Sequence, residues 1–135
     1  MSTNVYLSPQ QIISCDKMDG GCNGGWPSSA FDYVKSAGIE LLTDYAYKSG
    51  TSGKSETCLY SKSKTVIGLT SYTQLSTETL IANYVLITGP MTMVVDTSTW
   101  STYTGGILAS CGTSIDHAVS VNGVDTINGY WIVSS

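Results

Sequence analysis

The 135-residue sequence is poor in charge, in histidine and in long apolar runs. Charged residues make up 12% of the chain and the formal net charge is −4, so it lacks the basic surface that nucleic acid or an anionic membrane requires. No apolar run approaches the roughly 20 residues of a membrane span, and the polar segment after Met1 is unlike a signal sequence. We therefore expect neither nucleic acid nor a membrane span among its interactions.

The four cysteines are Cys15, Cys22, Cys58 and Cys111. Their spacing is too irregular for the paired CxxC hooks of a structural zinc site, and a single histidine cannot complete a Cys2His2 set. We expect no metal and no cofactor. Four cysteines in a chain with few charges suit a disulfide-bearing protein of an oxidising compartment, although four free structural cysteines fit the composition as well.

Helix signals occupy the first part of the chain. Ser8-Pro9-Gln10-Gln11 provides a cap residue, a proline at the first helical position and a glutamine at the third, which predicts a short helix. The glycine-rich run over residues 19–25 ends that helix and predicts a loop with exposed backbone. A second helix is predicted from Pro27 to Gly38, and residues 43–64 are predicted to be an irregular surface segment.

Strand signals dominate after residue 64, where we place a boundary between two lobes, residues 1–64 and 65–135. Residues 65–72 are rich in β-branched side chains, and residues 91–95 form a short apolar run. Both segments are therefore predicted to be strands.

One further helix is predicted to start near Ser76 and to end before Gly89. His117 to Val124 and Tyr130 to Val133 are predicted to form a β-hairpin, because a turn-forming segment separates two β-rich runs. The only histidine, His117, therefore stands at the entrance of a strand, which is a rigid mount for an imidazole. Alone, such a histidine is either structural or a catalytic base, and its position does not decide between them.

A series of short motifs runs in order through nearly the whole chain. The most specific are Gly21-Cys22-Asn23-Gly24-Gly25 and Asp116-His117-Ala118-Val119. The others are Leu7-Ser8-Pro9-Gln10-Gln11, Cys15-Asp16, Trp26-Pro27, Ala30-Phe31, Gly38-Ile39, Gly89-Pro90, Tyr103, Gly105-Gly106-Ile107 and Tyr130-Trp131-Ile132-Val133. In these residues and their order the chain resembles the papain and cathepsin family of cysteine peptidases. The resemblance implies an incomplete α+β papain-like fold with two lobes, one helical and one built on an antiparallel β-sheet.

The resemblance implies that His117 is the general base that takes a proton from a cysteine thiol. The resulting thiolate–imidazolium pair attacks a peptide carbonyl. In this family the histidine follows the nucleophile by about 130 to 150 residues, which places that cysteine roughly 13 to 33 positions before Met1. None of the four cysteines stands in the nucleophile motif, so we expect this chain alone to be inactive and to be a truncated fragment of an active peptidase.

In the family an asparagine orients the catalytic imidazole. The resemblance places Ser135 of this chain at that position. A serine can form a hydrogen bond with the ring, but its side chain is shorter. The resemblance also pairs Cys15 with Cys58 in a disulfide, and it leaves Cys22 and Cys111 without partners inside these residues.

Substrate contacts also follow from the resemblance. Gly24 and Gly25 correspond to backbone that pairs with an extended peptide, which only a residue without a Cβ allows. The resemblance places apolar side chains around the pocket that accepts the second substrate residue before the scissile bond. We therefore expect substrates with a hydrophobic side chain at that position to be preferred. The substrate-binding positions are Gly24, Gly25, Trp26, Pro27, Val94, Ile115, Asp116 and Ala118.

The expected partners are extended peptide or protein substrates, and an inhibitory propeptide or protein inhibitor. The resemblance implies a lysosomal, vacuolar or secreted location. The alternative is a noncatalytic pseudoenzyme or peptide-binding module that keeps the glycine edge but has no nucleophile. We also expect marginal stability, with the apolar faces of Phe31 and Val34 exposed.

Overall fold

The computed structural model describes residues 4–135. It divides into two compact units, the first ending at Thr73 and the second spanning Gln74–Ser135. The helices are α1 (Pro9–Cys15), α2 (Pro27–Ala37), α3 (Ser49–Ser52) and α4 (Glu78–Ile87). The strands are β1 (Ile39–Glu40), β2 (Thr65–Ile67), β3 (Met91–Val95), β4 (His117–Asp125) and β5 (Tyr130–Ser134). Helices combined with antiparallel sheets confirm the α+β prediction.

Helix α1 starts where the sequence predicts. Pro9 occupies its first turn, and the Ser8 hydroxyl accepts a hydrogen bond from the Gln11 N–H at 3.1 Å. The capping box is only half formed, because the Gln11 side chain does not return to Ser8. Its carbonyl oxygen accepts from the Glu40 N–H at 2.8 Å, while the Ser8 N–H donates to the Glu40 carbonyl.

Helix α2 also matches its prediction. It runs from Pro27 to Ala37, and the cap residue Gly38 has a φ of 73°. A Cβ at Gly38 would lie 2.2 Å from a methyl carbon of Thr65, so both conformation and space require glycine there. Phe31 is 36% exposed, and its ring lies 5.4 Å from that of Tyr72.

Two buried glutamines hold the first unit together. Gln10 is 1% exposed and its side-chain nitrogen donates to the hydroxyls of Ser14 and Ser49 at 2.9 and 2.7 Å. Its side-chain oxygen accepts from the N–H groups of Lys48 and Ser49 at 2.8 and 2.9 Å. One side chain of α1 thereby satisfies the backbone at the start of α3.

Gln11, the next residue of α1, likewise forms hydrogen bonds with polar groups of neighbouring elements. It is completely buried, and its side-chain nitrogen donates to the Gly38 carbonyl and the Tyr33 hydroxyl, both at 3.0 Å. With its bond from the Glu40 N–H, Gln11 connects α1 to the end of α2 and to β1.

A disulfide joins Cys15 at the end of α1 to Cys58 in the irregular segment, 43 residues later. These are the two cysteines that the family resemblance pairs. Cys22 and Cys111 are exposed free thiols.

Strand β2 is shorter than predicted, since only Thr65–Ile67 of the β-branched segment is extended and paired. It pairs antiparallel with β1, with Ile39 opposite Ile67. This pairing keeps β2 in the first unit, so the division falls between Thr73 and Gln74 rather than near residue 64. The assignment of residues 1–64 and 65–135 to the two lobes of a peptidase stays a prediction.

The second unit is a three-stranded antiparallel sheet in the order β3-β4-β5, with α4 packed against β4. Its buried apolar residues are Val85, Val119 and Val121. β3 and the β4–β5 hairpin fall where the sequence predicts them, and α4 is capped by Thr77, close to its predicted start. Over residues 4–135, every helix is too short or too polar to cross a membrane.

Replacing Gln10 with leucine tests the polar core of the first unit. The change keeps most of the side-chain volume but leaves the buried Ser49 N–H and its neighbours without partners. We expect a loss of about 3 kcal/mol in the free energy of unfolding, measured by urea denaturation. Gln74→Leu, at an exposed position, is the control and is expected to change stability by less than about 0.5 kcal/mol. Equal stability of the two variants would contradict this account.

Candidate active site

The sheet of the second unit positions His117 rigidly. His117 is the first residue of β4 and lies opposite Val95 of β3. Because side chains alternate along a strand, His117 shares a face with Val119 and Val121, which are 3% and 0% exposed. The imidazole therefore stands exposed at the end of a row whose other members form the core.

The imidazole ring of His117 interacts with the side chains of Ser135 and Trp100. Its Nε2 lies 2.7 Å from the Ser135 hydroxyl, which follows the last residue of β5. The ring of Trp100 contacts it edge to face, with ring centroids 6.3 Å apart and planes at 84°. Within residues 4–135, Nδ1 of His117 makes no hydrogen bond. One ring nitrogen is therefore held and the other is free to exchange a proton.

Two aspartates secure the backbone that leads into His117. The Asp116 N–H donates to the Val95 carbonyl at 3.0 Å, and the Asp116 carboxylate accepts from the N–H and hydroxyl of Thr97 at 2.8 and 2.9 Å. Asp96 accepts from the N–H groups of Ser98 and Ser114 at 2.9 and 2.8 Å. The residues after β3 and the residues before β4 are thus fixed to each other.

Hydrogen bonds lower the pKa of Asp96 below its ordinary value. The Ser98 hydroxyl contributes most, followed by the N–H groups of Ser98 and Ser114, and partial burial opposes them. Asp96 is therefore ionised across the neutral and mildly acidic range, where it keeps the loop before His117 closed.

The pocket residues predicted in the second unit lie beside the histidine. Val94 and Ala118 are directly opposite each other on β3 and β4, so their side chains share the face opposite to that of His117. Ile115 is 50% exposed in the loop before β4. Val94 and Ala118 therefore form an apolar pair on the face of the sheet opposite to the imidazole.

The glycine-rich loop of the first unit is held by its own backbone. The Gly20 N–H donates to the Gly24 carbonyl at 2.9 Å, and the Gly24 N–H donates to the Gly21 carbonyl at 3.1 Å. Gly24 has a φ of 98°, a conformation that side chains disfavour. The loop then passes to Trp26, which is 60% exposed, and to Pro27 at the start of α2.

Gly25 is required for a reason internal to the loop. A Cβ at Gly25 would lie 2.2 Å from the carboxyl carbon of Asp19, whose carboxylate accepts the Trp26 N–H at 3.0 Å. Among the described residues, the N–H and carbonyl of Gly25 make no hydrogen bond. An exposed backbone edge is therefore available at Gly25.

The predicted site residues fall into two groups, one in each unit. Gly24, Gly25, Trp26 and Pro27 belong to the first unit, and the remaining positions belong to the second. Ser135, which the resemblance places beside His117, forms a hydrogen bond with its ring, whereas the sequence patterns did not indicate Trp100 or Asp96. Neither residue stands in a motif, and only the pairing of β3 with β4 brings them to the histidine.

Replacing Asp96 with asparagine tests how firmly the loop before His117 is held. One carboxylate oxygen becomes an NH2 group that meets an N–H donor, from either Ser98 or Ser114. We expect amide hydrogen exchange to become at least about tenfold faster at whichever of Ser98 and Ser114 loses its acceptor, since a hydrogen bond to a charged group is lost. Asp44→Asn, at an exposed position, is the control. Unchanged exchange at both Ser98 and Ser114 would show that the carboxylate does not hold the loop.

The lowered pKa of Asp96 also predicts a dependence on pH. A carboxyl group with a lower pKa in the folded state stabilises that state above its unfolded pKa of about 3.9. The contribution is lost as the pH falls through the lower folded value. Protection of the affected amide, Ser98 or Ser114, in the unmodified protein should therefore persist at pH 5 and approach that of Asp96→Asn only in stronger acid.

Known proteins match this chain along its whole length. The sequence pattern of the papain family cysteine proteases matches residues 1–135. A cathepsin L-like proteinase of Phaedon cochleariae is 39% identical over 98% of this chain and 43% of its own length. A cysteine proteinase of Trypanosoma brucei brucei is 36% identical over 97% of this chain and 30% of its own length.

Solved structures agree with the sequence matches. Digestive procathepsin L 3 from the larval midgut of Tenebrio molitor superposes with a TM-score of 0.84 at 31% identity, over 96% of this chain and 45% of that one. The chain thus spans less than half the length of each of these relatives. It shares the fold of the matched procathepsin, and it belongs to the papain family of cysteine proteases.

Proposed function

We propose that this chain forms part of a cysteine-type peptidase in which His117 is the general base. The observation that carries the proposal is the state of the imidazole, whose Nε2 is held by Ser135 at 2.7 Å while Nδ1 is free on an exposed strand end. A thiol placed at Nδ1 transfers its proton to the ring and attacks the peptide carbonyl as a thiolate. The imidazolium then returns the proton to the leaving amine.

The nucleophile is proposed to lie on a segment outside these 135 residues. Cys15 and Cys58 are joined in a disulfide, and neither Cys22 nor Cys111 stands in a nucleophile motif. Residues 1–135 are therefore expected to hydrolyse no peptide bond on their own.

The substrate is proposed to be an extended peptide. The free N–H and carbonyl of Gly25 support this, because they offer the pair of hydrogen bonds that a strand-like peptide backbone needs. Gly24, Trp26 and Pro27 are proposed to contact the peptide beside Gly25. In the second unit Val94, Ile115 and Ala118 provide apolar contacts for a hydrophobic side chain, and Asp116 supplies backbone next to the histidine.

An inhibitory propeptide is a proposed partner, because the structure matched from Tenebrio molitor is a procathepsin. A lysosomal, vacuolar or secreted location is proposed as well. The disulfide between Cys15 and Cys58 supports it, since such bonds persist in oxidising compartments.

A second candidate is a noncatalytic peptide-binding module. The observation that favours it is the combination of a free backbone edge at Gly25 with the lack of a cysteine in the nucleophile motif. In that case residues 1–135 bind extended peptides with no bond broken, and His117 has no proton to transfer.

A chimera separates the two candidates. Residues 1–135 replace the matching part of the Phaedon cochleariae cathepsin L-like proteinase, whose remaining segments provide a nucleophile. We expect the chimera to hydrolyse a fluorogenic peptide with a hydrophobic residue two positions before the scissile bond, and His117→Ala to lower kcat/KM at least about 100-fold. A folded chimera that binds the peptide but does not cleave it would instead support the binding module.

Ser135 provides a finer test in the same chimera. Ser135→Ala removes the hydrogen bond to Nε2, so the imidazolium loses its orientation and part of its stabilisation. We expect kcat to fall about tenfold with a smaller change in KM, because the lost contact acts mainly on the charged ring in the transition state. Ser135→Asn restores a polar partner and is expected to retain activity. Equal rates for the serine and alanine forms would show that the contact has no catalytic role.

A further inference from the structure

The hydrogen bond between His117 and Ser135 does not by itself define the orientation of the imidazole. A serine hydroxyl both donates and accepts and rotates freely about its C–O bond. It therefore forms a bond with either tautomer of the ring, and with the charged ring as well. In an exposed imidazole such as that of His117, a further contact is needed to limit rotation of the ring.

Trp100 is the residue positioned to provide that contact. Its ring meets the imidazole edge to face, with centroids 6.3 Å apart and planes at 84°. Aromatic pairs prefer this arrangement because the positive edge of one ring faces the negative face of the other. Rotation of the imidazole about its bond to Cβ would disrupt the contact, so the indole favours one ring orientation.

Trp100 and His117 are held in place by connected hydrogen bonds. Trp100 lies in a 3-10 turn over Trp100–Thr102, and the backbone N–H of Trp100 donates to the Thr97 carbonyl at 2.9 Å. Thr97 is in turn held by the carboxylate of Asp116, the residue immediately before His117. The indole and the imidazole are therefore fixed to the same short stretch of backbone.

A buried polar atom also distinguishes Trp100. Within the described residues, the Trp100 Nε1 is buried and has no hydrogen-bond partner. Buried N–H groups usually have a hydrogen-bond partner. Because Nε1 has none, packing of the ring rather than hydrogen bonding holds the indole in place. The position of the ring is determined by its packing, in which the imidazole is an aromatic neighbour.

We propose that Trp100 is a positioning residue that fixes the orientation of the His117 imidazole through their edge-to-face contact. The proposal rests on the proposed role of His117 as the general base. Trp100 touches neither substrate nor nucleophile in this account. It keeps Nε2 towards Ser135 and leaves Nδ1 open, so that each turnover starts from the same ring orientation.

The single histidine of the chain makes a direct test possible, because nitrogen-15 NMR of the imidazole reports on His117 alone. Trp100→Leu keeps an apolar side chain but removes the aromatic ring, whereas Trp100→Phe keeps the ring and removes the indole N–H. We expect the leucine variant to change the ratio of the two imidazole tautomers about two- to tenfold and to increase ring mobility, which corresponds to the loss of one aromatic pair. The phenylalanine variant is expected to stay close to the unmodified protein.

Controls separate orientation from folding. The amide signals of Val119 and Val121 report whether the sheet is intact in each variant. Tyr6→Leu also replaces an aromatic side chain with leucine, at an exposed position that has no proposed role in the site, and should leave the His117 signals unchanged. The proposal is overturned if Trp100→Leu keeps the original tautomer ratio and ring mobility, or if Trp100→Phe behaves like Trp100→Leu.

This readout needs neither substrate nor nucleophile, so it is independent of the test of the proposed function. An inactive chimera that contains an oriented imidazole would contradict the peptidase proposal and leave the role of Trp100 standing. An active chimera in which Trp100→Leu leaves the imidazole unchanged would do the reverse.

Discussion

The constraint on which the structure depends is the need to pair the backbone polar groups of its irregular segments. The first unit has a two-stranded sheet and short helices, so regular ladders satisfy only part of its backbone. Gln10 and Gln11 supply the missing partners from inside the unit, where both are almost completely buried. The buried polar residues of the first unit, among them these glutamines, Ser8, Ser14, Ser49 and Glu40, depend on such bonds, because each buried polar group left unpaired is costly.

The same constraint shapes the second unit, where carboxylates replace amides. Asp96 and Asp116 accept the N–H groups of the segments that flank β3 and β4. Those segments contain Trp100 and lead into His117, so the hydrogen bonds that pair their backbone also position the imidazole. The lowered pKa of Asp96 keeps this arrangement in its ionised form in mildly acidic solution.

In the glycine-rich loop, the glycine that folding requires is also the residue proposed to contact a peptide. Gly25 is glycine because the Asp19 side chain occupies the space of a Cβ, and the same bare backbone leaves an N–H and a carbonyl exposed. The substrate was the only reason for glycine that the sequence offered. The structure adds an internal one, so loss of activity on substitution at Gly25 would combine a folding effect with a binding effect.

Much of the local structure was determined by the sequence alone. Proline and glycine set the ends of α2, and Ser8 set the start of α1. A short apolar run set β3, and two β-rich runs around a turn set β4 and β5, because these signals act between near neighbours. Ordered motifs were enough to identify the family. The tertiary structure alone decided that β2 pairs with β1, that Gln11 serves Glu40 rather than its own cap, and that Trp100 meets His117. These outcomes depend on which distant segments of the chain lie side by side. The local sequence around each residue does not determine that arrangement.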